Sequence, residues 1–449
     1  MLLQFAVENF KSFKSEAVLN LIPAKSRIHP DHVLTGNTKG KPVKAVPLAV
    51  LYGANASGKS VLIQAIAFAQ SLITNGTRGD DPLGITPFKL DKETLSKPSR
   101  FEFVLKHEGV LYTYGFVASA KQVHEEWLFA VNESHEKRVF ERVTKEGKAV
   151  VEAGDLLTPT KEEKQRIQFV AEGTRPNQLF LTEANERNVE PLKALMNWFR
   201  FNLRVVFPEA KYLRLVSRVD TDDRFSRFLA EFLQAADTGI QGIAATRDSA
   251  SAEQLLERMS DEERSRFLEE PESFQVWNGD QFVRFERGGK KSLVLLSLKT
   301  RHETIYGDPV NFDVTDESDG TRRLMHLAPA LFDSQSGEDV YVIDELDRSL
   351  HPLLCRLYVE AFLRSVTEGK SRGQMVVSTH ETSLLDLDLL RRDEIWFVEK
   401  DKEGGSHLTS LAEFKSQVRA DLKIAKGYLN GRFGAIPFLG DVRRLLVRK

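Results

Sequence analysis

Cysteine is almost missing from this chain: among 449 residues Cys355 stands alone. A single thiol makes no intramolecular disulfide and no cysteine metal cluster, so a reducing cytoplasm is the expected compartment. No apolar run of about 18 residues occurs, which excludes a membrane span of the helical kind. Met1–Asn9 carry no basic region ahead of a long apolar core, so no secretory leader is expected. Charge of one sign is lacking too. The 63 Lys and Arg stand against 65 Asp and Glu, a net charge of -2, so any contact with nucleic acid has to be local. No Cys/His spacing suits a metal, and no nucleophile is paired with a base. Internal repeats and low-complexity segments are absent as well. What remains is 41% hydrophobic residues, enough for a sizeable core, and a length that suggests roughly two or three domains.

Against that background one octet stands out. Gly53, Ala54, Asn55, Ala56, Ser57, Gly58, Lys59 and Ser60 fit G-x-x-x-x-G-K-[ST], a loop that cradles phosphates. Gly53 and Gly58 permit turns that a Cβ blocks, so successive N–H groups point at a polyphosphate. Lys59 supplies a charge for the β- and γ-phosphates, and Ser60 a hydroxyl for Mg²⁺. The flanks have the required form. Ala45–Tyr52 reads as a buried parallel strand, and Ser60–Ile73 as a helix whose N-terminus faces the anion.

Elsewhere, Met1–Leu21 alternates as an antiparallel pair, and residues 23–44 read as a loop. Ile85–Leu90, Phe101–Leu105, Val110–Val117 and Trp127–Val131 read as strands of an antiparallel lobe continuing through Lys137–Val151. Lys161–Val170 and Glu190–Phe199 read as helical. Phe225, Phe228, Leu229, Phe232, Leu233 and Ala236 follow the helical period and predict an amphipathic helix over 222–237, facing a core or a partner. Asp248–Ser273 holds nine Asp or Glu against three Arg, a solvated helical arm or a docking surface. Gln275–Glu303 turns strand-like, with a hairpin at Gly288-Gly289. Val340–Ile343 and Met375–Ser378 are buried-type strands followed by helical sequence, the alternation of a mostly parallel sheet.

A phosphate loop needs a metal-holding acid and a group to position water. Tyr341-Val342-Ile343-Asp344-Glu345 ends an apolar strand in two carboxylates. Asp344 is placed to hold Mg²⁺ through its water shell, and Glu345 to polarise the attacking water. Glu317-Ser318-Asp319-Gly320-Thr321 precedes a helix and reads either as a plain N-cap or as a second anion site. His351, after the acidic pair, is a turn residue or a site residue. His380, in Ser378-Thr379-His380-Glu381, is an edge histidine or a ligand-side group at the carboxyl edge of the sheet.

Taken together, the phosphate loop, Glu-Ser-Asp-Gly-Thr, Ile-Asp-Glu-Leu-Asp-Arg-Ser-Leu-His-Pro and Ser-Thr-His resemble the ABC/SMC-type ATPases. The resemblance makes Ser318 and Gly320 the signature, Asp347, Ser349 and His351 the D-loop, and His380 the switch. Asn9-Phe10-Lys11-Ser12-Phe13 is similar to the opening of SMC- and RecF-like (OLD-type) heads, which casts Lys11 as a basic residue near the nucleotide. Pro87–Asp91, Asn177–Leu181, Arg392–Phe397 and Gly431–Pro437 look like a bacterial AAA-labelled subfamily. It includes RloA/AbiL-like abortive-infection ATPases and resembles the AriA-like ATPase subunit of two-gene phage-defence systems.

The fold so implied is α/β: an ABC/SMC-type P-loop head with an antiparallel β lobe, a mostly parallel core sheet and a helical insertion. The expected segments are 1–220 (P-loop and lobe), 221–275 (helical insertion), 276–412 (signature, acidic pair, D-loop, switch) and 413–449 (basic). The resemblance also implies ATP and Mg²⁺ as cofactors and a homodimer or higher homo-oligomer that hydrolyses ATP at a composite intersubunit site. The pattern is departed from twice. No glutamine follows the P-loop helix where the Q-loop belongs, Gln70 lying inside that helix. No heptad arm leads to a hook or hinge. The roughly 70 residues after His380 are too few for a further nuclease domain, so the effector, a nuclease or toxin from the same operon, is expected to be separate. Lys415–Lys449 carries nine Lys or Arg against two Asp. It is a solvated face, a docking platform or a nucleic-acid contact. The favoured expectation is an ATP-driven switch in an anti-phage or toxin–antitoxin-like pair. The alternatives are a RecF-like DNA repair ATPase closing on duplex DNA and, weaker, a transporter motor.

Overall fold

Three strands buried on both faces lead into the glycine loop, the acidic pair and His380. In the computed structural model Leu48–Tyr52, Val340–Ile343 and Gln374–Ser378 have no exposed residue, as parallel strands covered on both sides require. The structure describes residues 1–449 except 39, 80, 133–134, 249–259, 263–264, 266–275, 278–280, 288–290, 336, 415–423 and 437–449. The chain forms two compact units. One comprises Met1–Pro208, Ser334–Leu346 and Val359–Lys449, the other Glu209–Asp333 and Asp347–Tyr358.

In the first unit a six-stranded sheet runs in the order Leu203–Val206, Val340–Ile343, Gln374–Ser378, Leu48–Tyr52, Ile395–Lys400, Ser406–Ser410. The first five strands are mutually parallel, and only the last edge strand is antiparallel. Three neighbouring strands therefore deliver their carboxyl ends to one edge. Tyr52 leads into the phosphate loop, Ile343 into Asp344, and Ser378 into Thr379 and His380. That edge is where open α/β sheets bind ligands.

A seven-stranded antiparallel sheet forms the lobe of the same unit. Its order is Lys148–Ala153, His135–Lys145, Val123–Asn132, Val110–Ala118, Ser99–His107, Leu2–Glu8, Ala17–Asn20. The helix Lys59–Asn75 turns Leu62, Ile63, Ala65, Ile66, Ala69, Leu72 and Ile73 inward. They share one core with Phe5, Phe101 and Phe103 of the lobe and Val342 and Val376 of the central sheet. Phe103 meets Phe199 edge-on at 5.1 Å, and Phe10 meets Phe101 at 5.3 Å, geometries that aromatic quadrupoles favour.

Ile85–Leu90, expected as a strand, is irregular. Ile85 and Phe88 are buried, but the backbone groups there bond elsewhere. Lys11 N–H donates to the Thr86 carbonyl, and Phe88 N–H donates to Asn9 Oδ1. The loop over 23–44 contains one short ladder, Leu34–Gly36 against Val43–Ala45.

A buried carboxylate locks the lobe to the helix that follows it. Glu126, 1% exposed, accepts from the backbone N–H groups of Phe180 and Leu181 at 2.6 and 3.0 Å and from Tyr114 OH at 3.0 Å. It thus satisfies the first donors of the helix Phe180–Glu186. Burial pushes the Glu126 carboxyl above its ordinary range, against the opposing pull of Arg142 and the two amides. Arg142 is itself 1% exposed and otherwise donates to the Val123, Arg175 and Pro176 carbonyls. Glu126→Ala leaves the Phe180 and Leu181 amides and the Tyr114 hydroxyl buried without their acceptor, so we expect a loss of about 2–4 kcal/mol of stability in denaturant titrations. An unchanged midpoint would show the network to be inert.

In the second unit the expected amphipathic helix is present as Asp223–Ala235, with Phe225, Leu229, Phe232 and Leu233 buried. The Asp222 carboxylate caps it, accepting from Arg224 and Phe225 N–H. Phe225 and Phe228 pack on Phe332, and Arg218 stacks 4.3 Å from the Phe225 ring while pairing with Asp333. After Ala235 the chain becomes extended. Gly242–Asp248 is a strand paired antiparallel with Lys291–Glu303, which in turn pairs with Gln281–Arg287 and Pro309–Asp313. Most of the acidic stretch, the Gly288-Gly289 turn and much of the basic C-terminal segment fall outside the described residues. Among the described residues no helix is long and apolar enough to cross a membrane.

Candidate functional site

The phosphate loop is held in a shape only glycine allows at its two ends. A Cβ on Gly53 would stand 2.3 Å from the Val398 carbonyl oxygen and 2.5 Å from Ser57 Oγ. Gly58 has φ 119°, and a Cβ there would stand 2.5 Å from Ser406 Oγ. Between them Ala56 also takes a left-handed backbone, φ 62°. Ser406 braces the loop from outside. Its hydroxyl donates to the Ser57 carbonyl at 2.6 Å and lies 2.8 Å from Ser12 Oγ, and its N–H donates to the Ser12 carbonyl at 2.7 Å. Lys59 opens the helix and is 6% exposed. Its ammonium donates to the Gly53 and Ala54 carbonyls at 2.9 and 3.2 Å.

The acidic pair is fixed against this loop by a serine from the intervening strand. Ser378 Oγ donates to Asp344 Oδ1 at 2.5 Å and accepts the Glu345 N–H at 2.8 Å. Ser60 Oγ donates to the same Asp344 oxygen at 3.1 Å. A hydroxyl and a carboxylate brought to one point are the oxygen donors that Mg²⁺ takes. Glu345 stands in the left-handed region, φ 49°, a conformation that costs a few kcal/mol and is concentrated at active sites. A cavity of about 480 Å³ opens here, lined by Ser12, Asn55, Ala56, Ser57, Gly58, Lys59, Ser60, Val61, Glu345, His380 and Lys400. A loop whose glycines leave no room for a Cβ, a buried ammonium and a Ser–Asp pair together fit a nucleotide polyphosphate and its metal ion.

Lys11 sits beside this cavity in sequence only through its neighbour Ser12. Its ammonium donates to Gln64 Oε1 of the P-loop helix at 2.7 Å, and the basic residues lining the cavity are Lys59 and Lys400. Asn9, from the same opening motif, is a structural hub. Its amide donates to the Thr94, Lys97 and Pro98 carbonyls. Gln70 donates to the Phe199 and Leu203 carbonyls and so anchors the first strand of the central sheet. Asn177 and Gln178 tie the end of the P-loop helix down, through Gly79 and Asp81 carbonyls and the Thr77 backbone.

Ser318, Gly320, Asp347, Ser349 and His351 belong to the second unit. Ser318 Oγ accepts the Thr321 N–H at 3.1 Å and so caps the helix Asp319–Ser334. Gly320 packs on the turn at Ser349, where a Cβ would stand 2.6 Å from the Ser349 carbonyl oxygen. Ser349 has φ 61°. The segments expected as signature and D-loop therefore approach backbone to backbone at Gly320 and Ser349. Glu317 faces away from the cap, accepting from Thr300 Oγ1 at 2.5 Å and pairing with His302 at 2.7 Å. His351 accepts the Leu353 N–H through Nδ1, and its carbonyl starts the next helix through Leu354 N–H.

Sequence reasoning missed Ser406 and Lys400, and saw Ser12 and Ser378 only as parts of motifs. The family model described as "AAA domain, putative AbiEii toxin, Type IV TA system" matches residues 48–386. No curated protein matches the chain. Solved structures with a similar course are SMC head domains. The head from Thermotoga maritima is 13% identical, covering 91% of this chain and 98% of that one at a TM-score of 0.37. A second, an SMC head bound to the C-winged helix domain of ScpA, is 12% identical with coverages of 91% and 97% and a TM-score of 0.39. A third, with coiled coil and joint and derived from Pyrococcus yayanosii, is 12% identical with coverages of 96% and 99% and a TM-score of 0.34. At these values the likeness carries no functional weight. The α/β architecture expected from the motifs, an antiparallel lobe with a mostly parallel core sheet, is the one the chain adopts.

Proposed function

Since the match spans most of the chain, which therefore belongs to this AAA domain family, we propose that the protein is an ATP-hydrolysing switch controlling a separate effector. The observation that carries the ATPase part is the Ser60–Asp344–Ser378 cluster at the mouth of the phosphate loop, with Glu345 held beside it. In this reading the Gly53–Gly58 backbone and Lys59 hold the β- and γ-phosphates. Ser60 and Asp344 hold Mg²⁺, which neutralises charge on the phosphates when bound. Glu345 orients and polarises the attacking water, and His380 reads the γ-phosphate from the adjoining strand end. Ser318 and its helix N-terminus complete the site from a second copy of the chain, so ATP joins two copies and hydrolysis loosens them.

The regulatory part rests on the family description, which names a toxin and a type IV toxin–antitoxin system. It favours a bacterial defence pair, RloA/AbiL-like or AriA-like, whose nuclease or toxin is encoded beside this chain. The test is purification from the native operon with and without ATP and Mg²⁺. We expect Mg²⁺-dependent ATP hydrolysis, a mass increase to at least a dimer with ATP, and a second operon protein held in fixed proportion. An ATPase that brings no operon partner and leaves its neighbour's effect on growth unchanged would end the regulatory reading. Failure to bind ATP would end both.

A further inference from the structure

A turn read from the sequence as plain loop gathers three metal-ligand side chains. His29, Asp31 and His32 each place one ligand atom within 4.8 Å of the others. The two imidazoles stack at 4.6 Å between centroids. His32 N–H closes the turn on the His29 carbonyl at 3.1 Å, so all three ligands come from one short loop and little chain entropy opposes their convergence.

Each ring has one nitrogen already engaged. His29 Nε2 lies 2.9 Å from the Leu387 carbonyl oxygen. A carbonyl only accepts, so Nε2 carries the hydrogen and Nδ1 keeps its lone pair. His32 Nδ1 lies 3.2 Å from Glu394 Oε2, which leaves the lone pair on Nε2. Metal-ligating histidines are held in this way, the second nitrogen donating to a carbonyl or a carboxylate that fixes the tautomer. Glu394 is 0% exposed, and its Oε1 has no hydrogen-bond partner, although Oε2 also accepts the Arg391 N–H at 2.8 Å. Asp31 is exposed and offers its carboxylate from the solvent side.

We propose that His29, Asp31 and His32 bind a divalent transition-metal ion, zinc by the donor set, with Glu394 and the Leu387 carbonyl orienting the two imidazoles. Two imidazole nitrogens and one carboxylate oxygen suit zinc, and three protein ligands leave a position for water. Ligand atoms about 2 Å from zinc stand within about 3.5 Å of one another, so on binding the ligands draw closer and the two rings, now 16° from parallel, turn to bring their lone pairs onto one ion. The ring hydrogen bonds to the Leu387 carbonyl and to Glu394 hold the ion's ligands against the segment 387–394 that leads into the strand Ile395–Lys400.

The test uses the full chain without a histidine tag, free of nucleotide, with Zn²⁺ alone as the probe. Metal content after gel filtration and competition against a chromogenic chelator give stoichiometry and affinity. One zinc per chain is expected. Asp31→Ala, at an exposed position, should lower the affinity at least tenfold with an unchanged melting curve, and His29→Ala and His32→Ala should lower it further. Glu394→Gln should weaken it by about 10–100-fold. A parent protein that retains no zinc, or an Asp31→Ala and a His29→Ala protein that bind it as the parent does, overturns the proposal. So does loss of the zinc in Asp344→Asn, which would put the ion at the nucleotide site.

Discussion

Glu345→Gln is expected to bind ATP as the parent does and to lose turnover by about 10²–10⁴-fold, the usual worth of a positioned general base. The substitution is close to isosteric, and the backbone that sets its position is fixed independently. The N–H of residue 345 is held by Ser378 Oγ at 2.8 Å, and Leu346 N–H donates to the Ser378 carbonyl at 2.9 Å. What changes is the group that draws a proton from water. The loss should therefore appear in kcat and not in nucleotide affinity. Lys59→Ala gives the opposite signature. It removes the one buried ammonium of the loop, and nucleotide binding itself should fall. Steady-state kinetics with a parallel nucleotide titration separate the two. Turnover by Glu345→Gln at the parent rate would strip Glu345 of its role.

The parts of this site that were legible in the sequence are those carried by single strands. Leu48–Tyr52, Val340–Ile343 and Gln374–Ser378 read as apolar runs because parallel strands are covered on both faces. The chemistry follows directly at their ends. What was not legible depends on loops that meet across long separations. Ser12, Ser57 and Ser406 brace one another, and a serine hydroxyl leaves no periodic trace. Ile85–Leu90 has the apolar content of a strand. Pro82 and Pro87 remove ladder donors around it, and Asn9 takes the place of a neighbouring strand. Glu126 is visible as a charge on a strand of apolar alternation, but its partners at Phe180 and Leu181 are not. The same holds for His29-Pro30-Asp31-His32. The segment reads as plain loop in the sequence, and the carbonyl and carboxylate that orient the two rings lie more than 350 residues on.

The second large effect concerns two copies of the chain. Lys59→Ala and Ser318→Arg proteins, each near background alone, are expected to regain about a quarter of the parental ATPase rate when mixed in equal amounts. The figure is statistical: half the pairs in a two-fold dimer are mixed, and each mixed pair holds one intact site of two. The physical ground is the division of labour within the chain. The P-loop, Asp344, Glu345 and His380 sit in one unit, while the capped helix at Ser318 and the Ser349 turn against Gly320 sit in the other. Arginine at 318 removes the oxygen that accepts the Thr321 N–H and sets a cation and a long side chain at the helix N-terminus, where an anion belongs. Neither substitution touches the other's machinery, so a mixed pair joins an unaltered P-loop from the Ser318→Arg copy to an unaltered signature from the Lys59→Ala copy. ATPase rates across a mixing series, with subunit exchange allowed, read the outcome. Activity equal to the sum of the two variants at every ratio, or a Ser318→Arg protein as fast as its parent, would mean that each copy hydrolyses ATP unaided.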